Sequence, residues 1–133
     1  MKCIPVPPAL EINKVLYEHR EMPLHVRVEQ RIVWNLLLAL EKAGFTPHLV
    51  DDGEEQTSAG SKKAAMELLF NLDDAYLFLS HESAEKTEDG RRLRTAWIRF
   101  VFGNEIDVIS DYSATNWHGF EDVMDKFNAE EFA

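Results

Sequence analysis

Residues 91–112 constrain this chain more than any other stretch: RRLRTAWIRFVF, then Gly103-Asn104, then EIDVISDY, with large apolar side chains at both odd and even positions. The Gly-Asn pair suits a two-residue primed turn, whose twist matches that of two antiparallel strands. A two-residue loop fixes the register, setting Phe102 against Glu105, Phe100 against Asp107, Ile98 against Ile109 and Ala96 against Asp111. One face of the ribbon then carries Ile98, Phe100 and Ile109 among Asp107, Asp111, Arg92 and Arg94. The other carries Leu93, Thr95, Trp97, Arg99 and Val101 with Ile106, Val108, Ser110 and Tyr112. An antiparallel ribbon that is apolar on both sides must be covered twice or must meet a partner. The face with Trp97, Ile106, Val108 and Tyr112 reads as the helix-covered one. The first face mixes apolar area with charge, as interfaces and pocket walls do. The competing reading is that the N-terminal arm or a helix covers Ile98 and Phe100.

The remaining periodicities supply the covering elements. A Pro-rich arm over residues 1–8 leads into a short helix from Ala9 to His19, ended before Pro23. Leu24 to Ala43 is the strongest helix: Val26, Val33, Leu37 and Leu40 form a stripe that Ile32, Leu36, Ala39 and Ala43 widen. Arg27, Arg31, Asn35 and Lys42 keep only a narrow polar stripe, since Trp34 and Leu38 are also apolar, so this helix must pack on more than one side. Gly44 stands at the left-handed C-cap position with Phe45 as its apolar partner, and Pro47 blocks continuation. Thr46 to Val50 reads as a strand, DDGEEQTSAGS as a solvated loop, and Lys62 to Leu72 as a helix capped by Ser58 or Ser61. Ala75 to Ser80 is a further strand, and Phe120, Val123, Met124 and Phe127 line a C-terminal helix. The order (α)αβαβββα predicts an α+β two-layer sandwich, with an antiparallel C-terminal hairpin and helices packed on the sheet. At 133 residues it is expected to form one domain.

Charge narrows the partners. The net charge is −10, and residues 105–133 hold eight Asp and Glu against one Lys. That field repels phosphate chains, so no direct nucleic-acid binding is expected; only Arg91, Arg92, Arg94 and Arg99 would form a basic patch. The longest uncharged apolar run, Ile32 to Leu40, falls well short of the roughly 20 residues that span a bilayer. Prolines break the first eight residues before an apolar signal core forms, so the expected address is cytoplasmic. Cys3, the single cysteine, is expected to be an inert thiol.

No spacing names a reaction. Arg94, Asp107 and Asp111 resemble an acid–base set, but cross-strand ion pairing explains them more simply. His19, His25, His48, His81 and His118 never recur at i, i+3 or i, i+4, and His48 with Asp51 and Asp52 is the only local group of ligand types. DDGEE lacks the alternating oxygens of a calcium loop, and SAGSKK lacks the spacing of a phosphate-binding loop. Ser110, Ser113 and Thr115 have no nucleophile arrangement around them. The expectation is therefore a small acidic interaction protein, without catalytic residues, metal or cofactor. It would bind a protein partner or a second copy of itself through Arg94, Trp97, Ile98, Phe100, Asp107, Ile109, Asp111 and Tyr112, or through the acidic C-terminal region. One version is a mimic of nucleic acid; the alternative is a small-ligand or enzymatic pocket built from Trp97, Tyr112, Arg94 and His118.

Overall fold

A computed structural model describes residues 24–86, 88, 90, 93–114 and 118–133 of the chain. The expected arm and short helix of residues 1–19 lie outside them. In chain order the elements are helix α1 (Leu24–Lys42), strands β1 (Phe45–Asp51) and β2 (Gln56–Ser58), helix α2 (Lys62–Leu69), strands β3 (Asp74–His81), β4 (Arg94–Val101) and β5 (Ile109–Ala114), and helix α3 (His118–Lys126). Short 3-10 turns at Glu105–Asp107 and Ala129–Phe132 complete them. The five strands form one antiparallel sheet in the order β2-β1-β3-β4-β5, and the helices lie on one side of it, so the α+β class holds.

The period of two along the strands decides which side is covered. Ala75, Leu77 and Leu79 of β3 and Ala96, Ile98 and Phe100 of β4 are all buried, in the layer with α1, α2 and Phe120 of α3. Leu77, Leu79, Ile98 and Phe100 each contribute about 1.5–3 kcal/mol when fully buried. Ile32 to Leu37 of α1 are six consecutive buried residues, so this helix is indeed packed on more than one side. Besides the sheet it meets α2, α3 and the C-terminal 3-10 turn, where Arg31 Nε donates to the Phe132 carbonyl at 3.3 Å.

Local chemistry sets the element ends as the sequence implies. Gly44 has φ of +91°, and Ser61 caps α2 by accepting from the Ala64 N–H at 3.1 Å. The solvated loop is shorter than predicted, because Gln56–Ser58 add a strand against Leu49–Asp51. Pro47 is tolerated inside β1 because β2 does not reach it and a bulge follows at His48.

The hairpin departs from prediction in register and in facing. Gly103 and Asn104 do not form a two-residue turn: residues 105–107 make a 3-10 turn, Glu105 takes φ of +52°, and β5 begins only at Ile109. Ala96 pairs with Ala114 and Ile98 with Tyr112, three positions beyond the predicted partners. The cause lies in α1. The buried Glu29 carboxylate accepts from the backbone N–H groups of Gly103, Asn104 and Glu105 at 2.8–3.0 Å, which holds the connection open against the helix. Val108 is drawn into the core in the same movement, and its carbonyl accepts from the Val101 N–H at 2.9 Å.

Candidate functional site

The sheet side opposite the helices remains open among the described residues, and its composition is unusual for a solvated sheet. On β3, Tyr76 and Phe78 alternate with the buried Ala75, Leu77 and Leu79; on β4, Trp97 and Arg99 alternate with the buried Ala96, Ile98 and Phe100. Register sets Phe78 beside Trp97 and Leu49, and Tyr76 beside Arg99 and Asp51. The rings meet: Tyr76 and Trp97 are edge to face at 5.4 Å, and Tyr76 and Phe78 lie 6.5 Å apart. Two guanidinium groups cover rings, Arg94 over Phe78 at 4.9 Å and Arg99 over Tyr76 at 5.9 Å. Tyr76 stays 37% exposed, too much for a core residue of that size. Three aromatic rings and two arginines on a rigid antiparallel scaffold are the residue types that dominate binding hot spots.

The expected site residues divide between the two sides. Arg94, Trp97 and Asp111 belong to the open side, with Asp111 across from Arg99 rather than from Ala96. Ile98 and Phe100 do not: both are fully buried under the helices, which corrects the assignment of their face as the exposed one. The physical reason is the partner strand. Leu77 opposes Ile98 and Ala75 opposes Phe100, so β3 offers its small and aliphatic row to the helices and its aromatic row to the outside. Ile109 is half-buried against the core, and Asp107 is exposed on the 3-10 turn. Tyr112 sits on the helix side, with its ring 5.9 Å from Phe120, so it cannot share a pocket with Trp97 and Arg94. Arg94 and the strand position opposite Asp111 are five residues apart, about 16 Å along the strand, so no Arg94–Asp111 pair forms.

Tyr76, Phe78 and Leu49 escaped the sequence reading of the site. AYLFLS was legible as a strand, and its alternation of aromatic with aliphatic residues was the available signal.

The other chemical candidates resolve into local structure. His48 Nδ1 is 3.2 Å from Ser80 Oγ, while His81 bonds Ser83 Oγ at 2.7 Å and the Ala43 carbonyl at 2.9 Å. Asp51 accepts from the Gly53 N–H, and Asp52 from the Glu54 and Glu55 N–H groups, all within 2.8 Å. Those donors to Asp52, Glu54 first, hold its carboxyl below its ordinary value of 3.8. Among the described residues no group of three or more His, Cys, Asp or Glu is placed to hold a metal ion, and no helix is long and apolar enough to cross a membrane. Comparison of the chain with protein-family models, with curated proteins and with solved structures finds no match.

Proposed function

We propose that this chain is a non-enzymatic interaction protein that docks a protein partner on the open side of its sheet. The observation that supports the reading is the packed set of Tyr76, Phe78 and Trp97 under Arg94 and Arg99, on the side that the helices do not use. Stacked rings lose little rotamer freedom on binding, and arginine supplies oriented donors at the same surface. With strands about 4.8 Å apart and about 3.3 Å of rise per residue, five strands of up to eight residues offer a footprint of several hundred Å². A standard interface buries about 800 Å² per partner, so the open side is of useful size.

Photo-crosslinking tests this. A benzophenone side chain placed at Tyr76 is expected to capture one protein, and the adduct should be competed away by excess unlabelled protein but not by its Y76S/W97S variant. The same group at Glu67, exposed on α2, should capture nothing comparable. Adducts that are equal from both positions, or insensitive to that variant, would refute docking at this face. Sedimentation then tells whether the captured chain is a second copy.

A further inference from the structure

At the end of the open side where β3, β4 and β5 meet, Phe78, Arg94, Thr95, Trp97 and Ser113 line a shallow notch of about 270 Å³. Small-molecule sites start near 300 Å³, so this one has room for a side chain or two and none for a nucleotide or larger cofactor. A bulge builds it. Leu79 pairs with Ala96 but Ser80 with Arg94, leaving Thr95 as the extra residue and re-aiming the strand so that the Arg94 guanidinium carbon lies over the Phe78 ring, 4.9 Å from its centre.

Among the described residues, the charge there has no carboxylate partner. Arg99 has Asp74 at 3.8 Å and Ser110 Oγ at 3.3 Å, whereas no carboxylate of the described residues pairs with Arg94. A guanidinium stacked on a ring still presents its in-plane donors. In the notch wall Thr95 Oγ1 is buried without a hydrogen-bond partner.

We infer that the notch is a subsite for a single carboxylate carried beside an apolar group: an acidic side chain flanked by an aromatic or aliphatic one, in an extended segment of a protein partner. The inference rests on the docking face proposed above and names what that face selects. Phe78 and Trp97 take the apolar group, and Arg94 takes the carboxylate by paired N–H donors. A polyanion fits poorly. Asp51 and Asp111 share this sheet side, and the chain carries −10, so successive phosphates meet repulsion where one carboxylate meets Arg94.

Amide and side-chain NMR of the full chain, titrated with 3-phenylpropionate as the probe, tests the subsite. Saturable shifts at Phe78, Arg94, Thr95, Trp97 and Ser113 are expected, with the neutral 3-phenylpropionamide at least about tenfold weaker. R94Q should bring the acid down to the level of the amide, and K126Q, exposed at the end of α3 in the helix layer, should leave it within about twofold. Equal binding of acid and amide, shifts that map elsewhere, or no saturable shift would overturn the inference. An oligothymidylate that outbinds the acid through Arg94 would replace it with a nucleic-acid site. The two proposals fail separately: crosslinking at Tyr76 without acid selectivity leaves the docking face and removes the subsite, and acid selectivity without crosslinking does the reverse.

Discussion

Glu29 is a carboxylate 1% exposed on the core-facing helix α1, and it organises a loop 74 residues away in sequence. Its two oxygens receive three backbone N–H groups from a turn in which Gly103 and Glu105 both adopt positive φ. Removing the acceptor takes away three hydrogen bonds to a charged group, each worth about 1.5–3 kcal/mol. E29A is therefore expected to destabilise by about 3 kcal/mol or more, and E29Q, which keeps one acceptor oxygen, by about 1–2 kcal/mol. Denaturant midpoints measure both, and hydrogen exchange at residues 103–105 should quicken in parallel. Shifts within about 0.5 kcal/mol for both variants would show that the loop holds itself. Asp52 is the exposed counterpart. Because its folded-state carboxyl titrates below 3.8, the stability it lends is present above that value and is lost as pH falls through the folded-state value. Carboxyl NMR titration should find its midpoint below that of an unstructured Asp, and D52N should abolish its part of the acid-side slope.

The elements differ in how much of them the sequence discloses, and Gly44 marks the legible end. Its φ of +91° is the left-handed cap that the pattern of α1 demands, and a Cβ there would stand 2.8 Å from His81 Nε2, which bonds the Ala43 carbonyl. G44A is expected to cost about 1–2 kcal/mol from backbone strain, and G44V more, by displacing His81. An unchanged thermal midpoint in both would contradict it. Helix α1 and the apolar stripe of α3 were readable because each follows from spacing within one element, and the α2 cap was narrowed to Ser58 or Ser61, of which the structure uses Ser61. The facing of β4 was not, since Ile98, Phe100, Trp97 and Val101 are apolar on both rows and only β3 breaks the tie. The hairpin register was hidden for a like reason: Gly103-Asn104 is a good local turn, and the carboxylate that overrides it belongs to α1. Face identity is directly testable. F100A should cost about 3–5 kcal/mol as a cavity under the helices, whereas Y76S on the open side should stay within about 1 kcal/mol. Comparable losses from both would mean that the open side is covered.

The densest acidic group and the aromatic docking face lie on opposite sides of the sheet. Glu121, Asp122, Asp125, Glu130 and Glu131 are exposed on α3 and the C-terminal 3-10 turn, elements that pack with the helix layer through Phe120, Met124 and Phe132. The aromatic and arginine set lies on the other side of the sheet. Two readings of the acidity then make opposite predictions. If the acidic region mimics nucleic acid, neutralising these five to Asn or Gln weakens partner binding and flattens its salt dependence. If the partner instead presents a carboxylate to Arg94, the same five charges repel it from a distance. Neutralising them should leave its affinity unchanged in physiological salt, where screening acts within about 8 Å, and should tighten it modestly near 10 mM salt, where the screening length is about 30 Å. R94Q in that background should still weaken the complex, because its contact is local and desolvated. Binding measured for wild type, the five-site variant and R94Q at the two ionic strengths decides between them. A loss of affinity on neutralisation with no effect of R94Q would move the docking surface from the sheet to α3.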